Sequence, residues 1–281
     1  MENISELKRT ASQVRRDIIR MINAPKSGHT GGSLGCADFM VTLYFNIMKH
    51  EPNKFDMDGL GQDVFFLSNG HVAPSWYSVL ARAGYFNLSE LATLRKTDTR
   101  LQGHPATEEK LPGIRIASGS LGQGLSIACG AALSKKLNND NNLIYTLHGD
   151  GELQEGQIWE AAMFAAARKI DNLIATVDYN NKQIDGPVDD VLSLGDLKAK
   201  WQSFGWIVLK MDGHNIEDII NTMNKAKLQT GKEKPIVILM KTEMGMGVDF
   251  MMGTHKWHGV APNDEQMELA LNQIKETLGD Y

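Results

Sequence analysis

Residues 143–181 read LIYTLHGDGELQEGQIWEAAMFAAARKIDNLIATVDYNN, and this stretch decides the fold. Its first run, Leu143-Ile144-Tyr145-Thr146-Leu147, is short, apolar and β-favouring, which predicts a buried strand. That run ends in His148-Gly149-Asp150-Gly151. An alanine-rich helix is expected from about 156 to 168. A second strand is expected over 173–177 and ends in Asp178-Tyr179-Asn180-Asn181.

The same alternation continues outward. A third strand is predicted over 206–210, a helix from Asn215 to about Lys227, and a fourth strand over 235–240. Strands alternating with helices imply an α/β fold, a parallel sheet with helices on both faces. In such sheets ligands sit outside the carboxyl ends of the strands. Both Gly-Asp-Gly and Asn-Asn are expected at such ends.

Asp150 and Asn180 are 30 positions apart (180 − 150), with one strand–helix–strand unit between them. On neighbouring strands they would emerge at one edge of the sheet. A carboxylate and an amide oxygen suit a hard cation. Mg²⁺ takes about six oxygens, usually only one or two of them from protein carboxylates. Phosphates, water and a backbone carbonyl would supply the rest. Gly149 and Gly151 let the backbone turn and approach a phosphate. The helix that follows aims amide groups at the same anion. Taken singly, Gly-Asp-Gly is a common turn and Asn-Asn a common loop; the spacing between them carries the reading.

Composition bounds the rest. The chain has 281 residues, 42% hydrophobic and 22% charged, which is ordinary for a globular protein. A formal charge of −5 argues against nucleic acid or an anionic membrane as partner. No stretch reaches the ~20 apolar residues of a membrane helix. Two cysteines, Cys36 and Cys129, without metal spacing, fit a reduced, cytoplasmic protein. At the N-terminus Ile4, Leu7, Ala11, Val14, Ile18 and Met21 recur at helical spacing. Arginines between them suggest a transit peptide as a rival, but Glu6 and Asp17 oppose it.

Turn-rich segments punctuate the first half: KSGHTGGSLG (26–35), LSNGHVAP (67–74) and LPGIRIASGSLGQG (111–124). Five histidines lie in loops flanked by glycine or proline: His29, His71, His104, His255 and His258. A lone loop histidine is usually solvated or structural. Several converging on one cleft would suit proton movement on hydroxyls and a carbonyl. His50 and His148 read as structural, and His214 as a turn residue leading a helix. Zinc is disfavoured, since no HExxH and no Cys-His cluster occurs.

GDGELQEGQIWEAA followed by VDYNNKQIDG resembles the thiamine diphosphate signature of transketolases. KSGHTGGSLG, LSNGHVAPSWYSVL, QGHP, SGSLGQGL and GTHKWHG resemble that family's other motifs, in order, from about 26 to 262. The resemblance implies thiamine diphosphate and Mg²⁺ as cofactors, with Ca²⁺ or Mn²⁺ able to substitute. It gives the metal to Asp150, Asn180 and the carbonyl of Lys182. It gives the diphosphate to Gly151, His71 and His258, and the cofactor lining to Gly119, Leu121 and Ile184. His29, His104 and His258 would face the sugar hydroxyls and the reacting carbonyl. Glu155 resembles a glutamate that links two active sites across a subunit interface. Ser120 departs from a frequent family proline, which implies a softer turn.

The resemblance also implies a missing half. Residues 1–281 read as one diphosphate-binding domain with an N-terminal helical segment and a C-terminal helical tail. Met267, Leu271, Ile274 and Leu278 would share one face of that tail. No second α/β domain fits after GTHKWHGVAP. The expected protein is the N-terminal subunit of a split transketolase that moves a ketol unit between sugar phosphates, as in pentose phosphate chemistry. A C-terminal subunit would supply the activating glutamate and the substrate-phosphate contacts, in a heterotetramer. Three rivals stand beside it. One is the same architecture on a branched-chain phosphate or a sulfonated ketose. Another is a 2-oxo acid dehydrogenase α subunit, which the histidine motifs disfavour. The last is a non-catalytic scaffold, which the intact Asp150 and Asn180 oppose.

Overall fold

A computed structural model describes residues 3–281, so residues 1 and 2 of the expected domain lie outside it. The helices are α1 (Ile4–Asn23), α2 (Thr30–Gly35), α3 (Ala37–Thr42), α4 (Ala73–Arg82) and α5 (Gly124–Leu137), then α6 (Gly156–Ala167), α7 (Val188–Leu192), α8 (Leu197–Ser203), α9 (Ile216–Lys227) and α10 (Asp264–Gln273). The strands are β1 (Val64–Leu67), β2 (Ile144–Gly149), β3 (Leu173–Tyr179), β4 (Lys182–Gln183), β5 (Gly186–Pro187), β6 (Ile207–Asp212) and β7 (Ile236–Lys241).

Five strands pair in the order β1-β2-β3-β7-β6, every pair parallel. The α/β expectation from the 143–181 stretch holds. β2, β3 and β7 occupy the interior of the sheet and are buried along nearly their whole length. This follows from their continuous apolar runs, because a parallel strand must bury both faces. β6 is an edge strand and is only half-buried. β4 and β5 form a separate small hairpin.

α1 begins at a capping box in which Asn3 and Glu6 satisfy each other's backbone amides. Its apolar stripe from Leu7 to Met21 is buried. Between those residues the arginines are anchored: Arg15 pairs with Asp38 at 2.6 Å and Arg16 with Asp280 at 2.8 Å. Asp17, on the same helix, takes Arg82 at 2.6 Å. Among the described residues no helix is long and apolar enough to cross a membrane.

The tail departs from its helical reading. α10 stops at Gln273, and Ile274 is extended. Ile274 is buried, whereas Leu278 is 47% exposed, so the two do not share a helical face. Hydrogen bonds to α1 hold the last residues instead, including Gln13 Oε1 with the Thr277 and Leu278 amides.

Candidate active site

The carboxyl ends of β1, β2 and β3 meet at one place. Register pairs Leu67 with Leu147 and Gly149 with Asp178, and the Asp150 amide continues the ladder to the Asp178 carbonyl at 3.2 Å. Ser68-Asn69-Gly70, Asp150-Gly151 and Asn180-Asn181 therefore leave the sheet side by side. A cavity of about 320 Å³ opens there. His29, His71, His104, Gly119, Leu121, Asp150, Gly151, Glu155, Asn180, Lys182, Ile184 and His258 all line it. His255 does not, and neither do His50, His148 and His214.

Four histidine rings converge on one wall. The His29 ring lies 5.0 Å from His71, 6.2 Å from His104 and 5.5 Å from His258, centre to centre. His71 and His258 are 5.1 Å apart. The distant motifs that supply them are stitched by backbone. Gly31 donates to the Trp257 carbonyl at 3.0 Å, Gly245 donates to Gly31 at 2.9 Å, and Thr30 Oγ1 donates to the Val260 carbonyl at 2.8 Å. Burial, together with His258, His104 and Arg95, pushes His29 down to about 4. Burial likewise lowers His71, His104 and His258. The rings are therefore neutral at neutral pH, each with one donor and one acceptor nitrogen.

Asp150 is buried. Its carboxylate accepts from the Gly151 amide at 2.8 Å and from the Asn181 amide. Asn180 Oδ1 accepts from the Lys182 amide at 2.8 Å, and its Nδ2 donates to Asp178 at 2.9 Å. Burial and the like charge of Asp178 push Asp150 up to about 7. Two neighbouring buried carboxylates are costly to ionise together. A divalent cation at Asp150 would relieve that cost, so the donor set fits a hard ion. Among the residues that line the cavity, both amide atoms of Asn69 and Nδ1 of His29 and His258 are buried without a hydrogen bond. They fit a polar ligand such as a diphosphate or a polyhydroxylated substrate.

Asn69, Glu152, Gln154, Gln183 and Met244 also line the cavity, unpredicted from sequence. Asn69 lies in the LSNGH motif, so its neighbours carried the signal. Glu152 is fully buried. Burial alone would raise its carboxyl, but His148, Ser68 and the Gly122 amide outweigh it and hold it below the ordinary range. His50 and His214 have structural partners: His50 bonds the Tyr44 carbonyl and Tyr85, while His214 links Asp38 to the Glu243 amide. The 26–35 segment is not all turn, since Thr30–Gly35 forms α2.

A larger hollow of about 660 Å³ lies beside the site, at the ends of β3, β6 and β7. Its described lining mixes Lys198, Lys210 and Lys241 with Asp196, Asp212, Asp218 and Glu243. It holds none of the histidines, so the smaller cavity is the candidate site.

The family model for "Transketolase, thiamine diphosphate binding domain" matches residues 7–279. The chain is 37% identical over 272 residues to an apulose-4-phosphate transketolase subunit of Actinobacillus succinogenes, covering 96% of each. It is 39% identical over 271 residues to the 6-deoxy-6-sulfo-D-fructose transketolase subunit SqwG of a Clostridium species, covering 96% of this chain and 97% of that one. The crystal structure of Campylobacter jejuni transketolase superposes with a TM-score of 0.89 at 34% identity, over 97% of this chain and 43% of that one. The chain thus spans less than half of that transketolase and nearly all of the two subunits. It belongs to the transketolase thiamine diphosphate binding domain family, and thiamine diphosphate is the cofactor that domain binds.

Proposed function

We propose that this chain is the diphosphate-binding subunit of a two-polypeptide transketolase, moving a two-carbon ketol unit from a ketose phosphate to an aldose phosphate. The observation that carries the reading is the coverage: 96–97% of relatives named as subunits, against 43% of a one-chain transketolase. Residues 1–281 then act as one diphosphate-binding domain, in the cytoplasm, where both buried cysteines stay free.

When bound, thiamine diphosphate supplies carbanion chemistry at a ketose carbonyl. The protein's work is to bind, orient and move protons. Asp150, Asn180 and the Lys182 carbonyl would hold Mg²⁺ against the diphosphate. The Gly151 amide, His71 and His258 would face its oxygens, with Gly119, Leu121 and Ile184 against its body. His29, His104 and His258 would orient substrate hydroxyls and pass protons.

The partner would be a C-terminal subunit supplying the activating glutamate and substrate-phosphate contacts, assembled two and two. An exposed apolar face supports docking. Ile127 on α5 and Met163 and Phe164 on α6 are 41%, 54% and 42% exposed. Large apolar side chains exposed on two helices that pack together fit an interaction surface. Glu155, the N-cap of α6, is the residue we propose to link paired sites.

A second reading keeps the architecture and changes the sugar, since two relatives are named for apulose-4-phosphate and sulfofructose. The test is reconstitution with the C-terminal subunit, followed by an assay of ketol transfer over sugar phosphates, branched-chain phosphates and sulfonated ketoses. Ketol transfer is expected only from the pair. Full activity from this chain alone would refute the split.

A further inference from the structure

We propose that Glu152 is a positioning residue of the diphosphate cradle, its buried carboxylate fixing together three of the segments that carry cofactor-facing atoms. The inference rests on thiamine diphosphate occupying the cavity described above.

Three donors from three segments meet this one carboxylate. The Gly122 amide donates to Oε1 at 2.8 Å, from the loop that also carries Gly119 and Leu121. The Gly149 amide donates to Oε2 at 3.0 Å, one residue before Asp150. The Ser68 hydroxyl donates to Oε1, one residue before Asn69. Ser68 in turn accepts from the Gly124 amide at 3.1 Å, which extends the reach of Glu152 to the first residue of α5. Its hydroxyl proton is therefore committed to the carboxylate.

The chemistry demands a carboxylate. Every partner is a donor, and an ionised carboxyl is acceptor-only. Glutamine would aim its NH₂ at one of the same donors, leaving two protons facing each other in a buried site. Hydrogen bonds to a charged group are also stronger than neutral ones. Packing leaves the loop little slack. Gly122 has φ +81° and sits against Glu155, and a Cβ at Gly124 would run into Ser68.

The test uses this chain assembled with its C-terminal subunit. Thiamine diphosphate is titrated in the presence of Mg²⁺, its affinity read by tryptophan fluorescence, and thermal unfolding of the cofactor-free protein is followed in parallel. Saturable binding by the wild type is the control on the functional reading, and its absence would remove that reading first. With the control met, Glu152→Gln is expected to weaken binding at least about tenfold, the size of one hydrogen bond to a charge. Glu152→Asp keeps the carboxylate and should recover part of the loss. Ser68→Ala should weaken binding about threefold or more through the Gly124 link. If Glu152→Gln fails to fold, the other two variants decide. A lowered melting temperature with wild-type cofactor affinity in the folded variants would overturn the proposal.

Discussion

Lys182 Nζ stands 2.9 Å from Glu243 Oε1, and this ion pair ties the loop after β3 to the segment after β7. Glu243 also accepts from the Gly253 amide at 2.8 Å, close to the loop bearing His258. The pair therefore ties the segment bearing a proposed metal-ligand carbonyl to the segment that leads into the His258 loop. Glu243→Gln should raise the dissociation constant for thiamine diphosphate with Mg²⁺ about fivefold, near the upper end for a partly exposed pair. Calorimetric titration measures it. Unchanged affinity would mean the two loops hold their places without the tie.

Asp150→Asn tests the metal assignment. The substitution keeps the shape and removes the charge that a divalent cation needs. Divalent-cation-dependent binding of thiamine diphosphate should fall by two orders of magnitude or more, roughly the 3 kcal/mol or so of a lost buried charge partner. Without metal the apo variant should change little in stability, because relief of the crowding with Asp178 is offset by an NH₂ that meets the Gly151 or the Asn181 amide. Retained metal-dependent binding would move the cation elsewhere.

The histidine wall sets a pH dependence. Burial and neighbouring positive groups lower the folded-state pKa of His29 to about 4, against an ordinary value near 6.5. Above 6.5 the ring is neutral in both states and contributes nothing. Between 6.5 and about 4 the unfolded chain binds a proton that the folded chain refuses, so stability falls as pH falls. Asp150, whose raised carboxyl acts in the opposite direction, overlaps this window. Comparison with His29→Gln isolates the ring. As pH drops from 6.5 to 4 the variant should gain several degrees of melting temperature relative to wild type. Parallel curves would show that His29 does not titrate as its surroundings dictate.

Four of the five strands of the sheet were legible in the sequence, the half-buried edge strand β6 among them. β2 and β3 carry continuous apolar runs, and each run extends past its predicted end because the polar residues His148 and Asp178 stay in the ladder. β1 went unpredicted because VFFL is four residues long and abuts the turn signals of Ser68-Asn69-Gly70. Motif order brought the site residues to notice, yet the motifs hold no sign of how loops are tied. Glu152 passes for a solvated helix-start carboxylate, and only packing reveals its three donors. The tail was misread for a related reason: a helical period survives in the letters after Gln273, while bonds from Gln13, Arg16 and Arg20 pull the chain straight.

Two glycines should respond to alanine in opposite ways. Gly70 follows β1 in LSNGH, and a Cβ there would run into the Ser118 carbonyl of the loop bearing Gly119 and Leu121. Backbone cannot yield as a flexible side chain can. Gly70→Ala should therefore displace that loop, cost on the order of 1–3 kcal/mol as overpacking does, and weaken thiamine diphosphate binding. Gly130 lies inside α5, and a Cβ there meets nothing within 4 Å. Alanine at that position loses less backbone freedom on folding, so Gly130→Ala should stabilise the isolated chain by about 0.5–1 kcal/mol. Chemical unfolding of the two variants checks both signs. A neutral Gly70→Ala would show that the close approach of these two loops is not what shapes the cavity.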